Sequence, residues 1–219
     1  AFTPKAVASY EEAFRRHAKQ IIDRVAARGE CEFVSEVAAE LTLIAILELL
    51  GVPINERKQF YDWTNIMIFA DDPEVETSPD EVDAAAFQII SYALGMAETH
   101  KHTPLANVTG ALLDGVIDDR PVSEEEFAWM WLLILVGGNE STRSMISHGM
   151  RLLMENPSQL RYLVDNPEMI GNAVEEILRY NTAFTCMRRT AMEDIELDGR
   201  TIKAGDKIIL HYPSANHDE

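Results

Sequence analysis

Cysteine is scarce in this chain: among 219 residues only Cys31 and Cys186 occur, far apart and with no neighbouring thiol or histidine at metal-ligand spacing. That excludes a disulfide-stapled scaffold and a Cys-rich zinc module, and leaves two free thiols in a reducing cytoplasm as the expectation. Basic residues are also few. Nineteen Lys and Arg face 37 Asp and Glu, a net charge of -18, which argues against nucleic acid or an anionic membrane surface as a partner, because both require basic patches. No run of eighteen apolar residues is present, so no membrane span is expected. The opening Ala1-Phe2-Thr3-Pro4-Lys5 has neither an initiator Met nor a basic-then-apolar signal layout, and is expected to be an internal stretch of a longer protein. Histidine offers no metal site: His100 and His102 are two apart and point to different helix faces, while His17, His148, His211 and His217 are scattered.

What is present is a helical pattern. Apolar residues make up 47 % and charged residues 26 %, ordinary for a soluble globular protein with one sizeable core or two small ones. From Lys5 to Arg28, Val7, Tyr10, Phe14, Ile21 and Val25 recur at helical steps and predict one helix with one buried face, ended by Gly29. Val34 to Leu50 is apolar nearly all round and predicts a buried helix, stopped by Gly51 and Pro53. Further helices are expected from about Asn55 to Phe69, Glu81 to Thr99 and Leu105 to Leu113, with a loop over 70–80 and a turn over Asp114 to Pro121. Ser123, with Glu126 three residues on, has the capping-box spacing and opens the longest pattern, about Glu124 to Glu155. Asn156-Pro157 and Asn166-Pro167 each predict an N-cap before a proline at the first helical position. After Asn181 the pattern changes: Ile195 to Leu197 and Thr201-Ile202 flank Asp198-Gly199, a hairpin signal, and Lys207 to Leu210 reads as a strand. The expected fold class is mainly α with a small β-sheet near the C-terminal end, mostly helical over 1–181 and β over 182–219.

Three stretches have the residue types for chemistry. Val136-Gly137-Gly138-Asn139-Glu140-Ser141-Thr142 places two glycines and a carboxylate inside the long helix. Each mid-helix Gly costs up to about 1 kcal/mol relative to Ala, so something must need close approach to the backbone. The glutamate, set against an otherwise buried face, must be paired, neutralised or functional, and beside two hydroxyls it could pass protons; a kinked helix with a solvated Glu is an equally good reading of this segment alone. Glu176 and Arg179 stand at i and i+3, within reach of a charge-assisted pair, although such spacing is common and a surface pair contributes little. Arg188 and Arg189 could grip an anion or simply be surface charges.

Order and spacing decide between these readings. A Gly-Gly-x-Glu helix, then Glu176-x-x-Arg179, Met187-Arg188-Arg189-Thr190-Ala191, an Asp-Gly hairpin and Ser214-Ala215-Asn216-His217-Asp218 together resemble the cytochrome P-450 family. Phe2-Thr3-Pro4, Leu50-Gly51-Val52-Pro53 and Asp72-Pro73-Glu74 extend the likeness along essentially the whole chain. Within the family it resembles bacterial members that hydroxylate steroids, branched lipids or terpenoids at a terminal methyl. The resemblance implies a haem b monooxygenase whose long helix crosses the oxygen-binding face of the haem. Gly137 and Gly138 would leave room for dioxygen, and Glu140 and Ser141 would deliver protons, with Thr142 able to share the role. Arg189 would bind a haem propionate, Glu176 and Arg179 would form a structural pair, and Ala183, Phe184 and Met187 would border an apolar substrate cavity. A ferredoxin with its reductase, or a similar donor, would supply electrons singly, and the setting would be cytoplasmic.

Two departures stand out. Ser141 occupies a position more often Thr, losing the methyl that fixes the rotamer, and His217 stands where Arg is commoner, ahead of the acidic Asp218-Glu219. The family's ligating cysteine, in a Phe-Gly-x-Gly-type loop, is absent, and Cys186 does not have its context. Without the axial thiolate that drives O–O cleavage, an incomplete P-450 fold is expected, and these 219 residues alone are expected not to be a competent monooxygenase. The rival expectations are a non-enzymatic helical lipid- or steroid-binding module, which has no use for Gly137-Gly138-Asn139-Glu140, and a structural helical domain, which explains neither Arg189 nor the glycines.

Overall fold

The computed structural model describes residues 2–70 and 72–218; Glu219 of the acidic pair Asp218-Glu219 lies outside them. The described chain is mainly helical with short antiparallel ladders, and it divides into two compact units, Ala1–Arg143 and Ser144–Glu219.

The first unit begins with two helices where periodicity predicts one. Helix α1 (Pro4–Ala8) and α2 (Glu11–Ala26) are separated at Ser9 and Tyr10. Ser9 Oγ donates to the Ala6 carbonyl at 2.6 Å, and the Ser9 and Tyr10 amides turn back three residues rather than four, the local competition by which serine breaks a helix. Val7, left on the first fragment, is 53 % exposed, while Ile21 and Val25 are buried as expected. A single π-helical stretch, Val34–Ala38, leads into α3 (Ala39–Leu50). Gly51 then takes φ +77°, the left-handed conformation that ends a helix at low cost only for glycine. Helix α4 (Arg57–Ile68) follows a 3₁₀ turn, and α5 (Pro79–His102) starts at the capping box of Ser78 and Glu81.

Helix α6 (Val108–Leu113) precedes a two-stranded ribbon absent from the sequence-based expectation, β1 (Val116–Ile117) with β2 (Arg120–Pro121). Asp118 and Asp119 form its tip with φ +50° and +60°, the geometry of a type I′ turn that Asp tolerates better than most residues. Helix α7 runs from Glu124 to Glu155, about 48 Å at the α-helical rise. Its start is the expected capping box: Ser123 N–H donates to Glu126 Oε2 at 2.9 Å and Glu126 N–H to Ser123 Oγ at 3.2 Å. The core of this unit gathers Leu47 and Leu50 of α3, Phe60 of α4, Ile89 of α5 and Phe127, Trp131 and Leu135 of α7, all inaccessible to solvent. Even its tryptophan N–H is satisfied: Trp131 donates to Thr109 Oγ1 at 2.9 Å, and Thr109 donates on to the Leu50 carbonyl at 2.6 Å.

The second unit holds the end of α7, α8 (Pro157–Asp165) and α9 (Ile170–Tyr180), the latter entered through a 3₁₀ turn. Asn156 and Asn166 stand at the expected N-cap positions, each followed by a proline, and their carbonyls accept from the amides of Gln159, Leu160 and Met169. Their side chains bond backward instead of capping, Nδ2 donating to the Leu152 and Tyr162 carbonyls at 2.9 and 2.8 Å, so each also closes the preceding helix. Gly149 lets α9 approach: a Cβ there would stand 3.1 Å from Ile177 Cδ1. Strand β3 (Cys186–Thr190) pairs antiparallel with β6 (Lys207–His211), and β4 (Ile195–Leu197) with β5 (Arg200–Ile202). The β4–β5 turn is Asp198-Gly199 with φ +49° and +71°, as the dipeptide predicts. Helix α10 (Tyr212–Asn216) closes the described chain. No helix among the described residues is long and apolar enough to cross a membrane.

Candidate functional site

The unusual segment of α7 begins with neighbouring glycines in different surroundings. A Cβ on Gly138 would meet Ile46 Cδ1 of α3 at 2.8 Å, whereas nothing lies within 4 Å of a Cβ on Gly137. Close helix packing therefore accounts for Gly138 by itself, and Gly137 leaves an open stretch of backbone. Ser141 Oγ donates to the carbonyl of Gly137 at 2.8 Å, so the hydroxyl is tied to the turn that the open glycine begins. Thr142, the other hydroxyl of the segment, is exposed.

Asn139 lies between the glycines and Glu140 and is 1 % exposed. Its Oδ1 accepts from Thr42 Oγ1 of α3 at 2.9 Å and its Nδ2 donates to Thr64 Oγ1 of α4 at 3.4 Å. A buried amide satisfied on both sides fixes how α7 is rotated about its own axis. Glu140, one residue on, forms an ion pair with Arg143 one turn later. Arg143 is 5 % exposed; its Nη1 donates to Asn65 Oδ1 of α4 at 3.1 Å, and its guanidinium lies 5.5 Å from the centroid of the Phe69 ring. A buried guanidinium is stable only when paired and hydrogen-bonded, and Glu140 and Asn65 meet that need. Asn139 and Arg143 were not legible because their partners on α3 and α4 are remote in sequence; the one available signal was their place beside Glu140, soon after the apolar run Phe127 to Val136.

In the second unit, Arg179 donates through Nε and Nη2 to the two carboxylate oxygens of Glu176 at 2.8 and 2.7 Å, a planar fork on a carboxylate. The guanidinium beside it holds the Glu176 carboxyl below the usual glutamate range. The remaining Nη1 of Arg179 donates to the Asn216 carbonyl at 2.6 Å, and Asn216 Nδ2 donates back to the Arg179 carbonyl at 3.2 Å. His217 adds a third tie, its Nε2 lying 2.9 Å from the Tyr180 carbonyl with the two rings 5.1 Å apart. The Glu176–Arg179 pair is thus the centre of a clamp that fastens α10 to the last turn of α9 and satisfies carbonyls that the helix end leaves open.

Arg188 and Arg189 are consecutive residues of β3, opposite Ile209 and Ile208 of β6. Side chains alternate across a strand, so the two guanidinium groups leave opposite faces of the ladder and cannot converge on one anion. Both are exposed, and among the described residues Arg189 Nη1 reaches the neighbouring Arg188 carbonyl, at 3.1 Å. Ala183 and Phe184 lie in the stretch between α9 and β3 and Met187 within β3; Phe184 and Met187 are 48 % and 36 % exposed. A groove of about 520 Å³ in this unit is lined elsewhere, by residues such as Leu153 of α7, Tyr162 of α8, Met169 of the 3₁₀ turn and Ile177 of α9. Cys186 is exposed at the start of β3, and Cys31 is exposed in a groove it shares with Glu30, Glu32 and Glu36.

The sequence profile of the cytochrome P-450 family matches residues 168–219, the stretch that holds the α9–α10 clamp and both ladders of the second unit. The whole chain is 40 % identical over 221 residues to a steroid C26-monooxygenase of Mycolicibacterium smegmatis and 36 % identical over 223 residues to a methyl-branched lipid omega-hydroxylase of Mycobacterium tuberculosis. The chain spans about half the length of these curated relatives, 50 % and 52 %. Its fold matches a solved cytochrome P-450 of Mycobacterium marinum in complex with pseudoionone, with a TM-score of 0.92 at 30 % identity, over 100 % of this chain and 54 % of the other. By sequence and by fold the chain matches about half of a bacterial cytochrome P-450.

Proposed function

We propose that these residues are the oxygen-handling part of a haem b monooxygenase that inserts one atom of dioxygen into a C–H bond of a steroid, branched lipid or terpenoid. The observation that carries this reading is the turn of α7 in which Gly137 leaves the backbone open, Ser141 is tied to the Gly137 carbonyl and Glu140 follows the fully buried Asn139. The likeness to steroid and branched-lipid hydroxylases supports the substrate class.

Each unit holds a group suited to part of a haem. The open backbone at Gly137 suits close approach of a small diatomic, and the exposed guanidinium of Arg189 suits a propionate. They do not supply the axial ligand. Neither Cys31 nor Cys186 has the glycine-rich context of a ligating loop. The reading therefore assigns the thiolate to sequence outside these 219 residues, treats 1–219 as part of one catalytic domain, and expects the isolated chain to be inactive.

When bound, the haem supplies the redox chemistry. The work of this chain is to hold and move protons and to position groups. The Ser141 hydroxyl, donating to the Gly137 carbonyl, presents its oxygen lone pairs as acceptors and can pass on its proton when that bond is exchanged. Glu140 resupplies it, its carboxylate first taking up a proton from solvent and then passing one on, and Thr142 is the neighbouring hydroxyl able to share the role. Ala183, Phe184 and Met187 are assigned to the apolar substrate boundary. A ferredoxin-type donor in the cytoplasm completes the assignment.

The test is incubation of the full-length holoenzyme, supplied with a nicotinamide reductant, a ferredoxin and its reductase, with cholesterol and with a methyl-branched fatty acid under isotopically labelled dioxygen. The reading predicts one labelled oxygen atom in a recovered product, and loss of most of that product in Glu140→Gln and Ser141→Ala. Binding of either compound with no label incorporated from any substrate tried would favour the carrier reading instead.

A further inference from the structure

Arg143 is one of the most deeply buried charged groups in the first unit, and its contacts run in two directions. On α7 it pairs with Glu140; on and just after α4 it reaches Asn65 and Phe69. A buried arginine with a single carboxylate for a partner would be an expensive way to pin a surface glutamate. Here the guanidinium is held from three sides, and the glutamate it holds is the one assigned to proton delivery. We infer that Arg143 is a positioning residue that sets the direction of the Glu140 carboxylate and makes that direction depend on the C-terminal turn of α4.

Three observations carry this. The Glu140 side chain is about three-quarters covered, at 26 % exposure against 6 % for Arg143, so it has few alternative rotamers in which to lie. Asn139 fixes the rotation of α7 through Thr42 and Thr64, so the Cα–Cβ direction at position 140 is set by the helix and only the end of the side chain remains to be placed. The groups that hold Arg143 from the far side, Asn65 and Phe69, belong to one turn, closed by the Phe69 N–H donating to the Asn65 carbonyl at 3.0 Å. A displacement of that turn would move the guanidinium, and the carboxylate with it. No bond is made or broken by Arg143; its role is exerted through Glu140, and the inference rests on the proton-delivery assignment made above.

The test uses the full-length protein with two measurements. The first is the side-chain carboxylate carbon resonance of Glu140, assigned by its absence in Glu140→Gln. It should move furthest in Arg143→Met, stay near the parent value in Arg143→Lys, and move measurably in Asn65→Ala, which leaves both members of the ion pair in place. Amide hydrogen exchange at Phe69 should quicken by about tenfold in Arg143→Met, as expected for a turn that has lost an anchoring contact. The second is the yield of hydrogen peroxide when the reduced, substrate-free holoenzyme, freed of excess dithionite, meets dioxygen. Glu140→Gln and Arg143→Met should change that yield in the same direction, with Arg143→Lys restoring most of the parent behaviour. A Glu140 resonance that is unchanged in Arg143→Met or in Asn65→Ala overturns the positioning role. If the resonance moves but peroxide yield changes only in Glu140→Gln, Arg143 is a structural residue and the inference fails alone. If Glu140→Gln itself matches the parent, the proton-delivery assignment falls and takes this inference with it.

Discussion

Gly137 and Gly138 are chemically identical neighbours that the structure separates. Mid-helix glycine is less stable than alanine by about 0.5–1 kcal/mol, so Gly137→Ala, with open space for the new methyl, should raise stability by about that amount in denaturant unfolding. If the oxygen-groove reading is right, the same variant should lose oxygen insertion, a gain in stability accompanied by a loss of function. Gly138→Ala should show no such gain, because its Cβ would press on Ile46 Cδ1; combining it with Ile46→Val should cost less than the two changes summed, since the residues are in contact. Asn139 is the second case. Replacing it with Leu removes a buried hydrogen-bond network and leaves Thr42 and Thr64 facing an apolar side chain, which should destabilise the protein by about 1–3 kcal/mol. Neither Asn139 nor Arg143 was legible as a structural centre in the sequence, because their partners Thr42, Thr64 and Asn65 lie 97, 75 and 78 residues away. Glu140 and Ser141 were legible as candidates because their neighbours in sequence are also their neighbours in space.

At the scale of elements, local rules succeeded where the controlling contacts were local. The capping box at Ser123 and Glu126 located the start of α7, and Asp198-Gly199 located the β4–β5 turn. They failed where a short-range alternative competed: Ser9 divided one expected helix into two, while Asn156 and Asn166 took their expected N-cap positions but turned their side chains back to the preceding helix. The β1–β2 ribbon escaped notice because its strands are two residues each and its tip uses aspartate instead of glycine. The α9–α10 clamp has a pH dependence of definite sign. Arg179 holds the Glu176 carboxyl below its ordinary range in the folded protein. Its contribution is therefore complete above the unfolded-state glutamate value and is lost as pH falls toward and through the depressed folded value. Unfolding of the parent should grow easier with acid across that window, and Glu176→Gln should flatten the local part of the profile. Because this pair is exposed to solvent, the effect should also weaken as salt is added.

For the whole molecule, a net charge of -18 means that compaction works against self-repulsion. Raising ionic strength from a low starting value should increase the unfolding midpoint of the parent, and a midpoint that falls with salt would show that its ion pairs outweigh that repulsion. The fold class was legible from helical periodicity together with the change of pattern after Asn181; the division into two compact units was not, since α7 runs without interruption through both of them. The family likeness rests on the order of motifs along the chain, and the chain spans about half of its relatives. The proposed role of these residues is the oxygen-handling part of a haem-thiolate enzyme, with the thiolate supplied from outside 1–219. The most direct measurement is the absorption spectrum of the reduced protein under carbon monoxide, recorded for the full-length protein and for the 219-residue chain alone. The account predicts the red-shifted Soret band of a thiolate-ligated haem in the first and its absence in the second; a full-length protein without that band, or an isolated chain that shows it, would contradict the account.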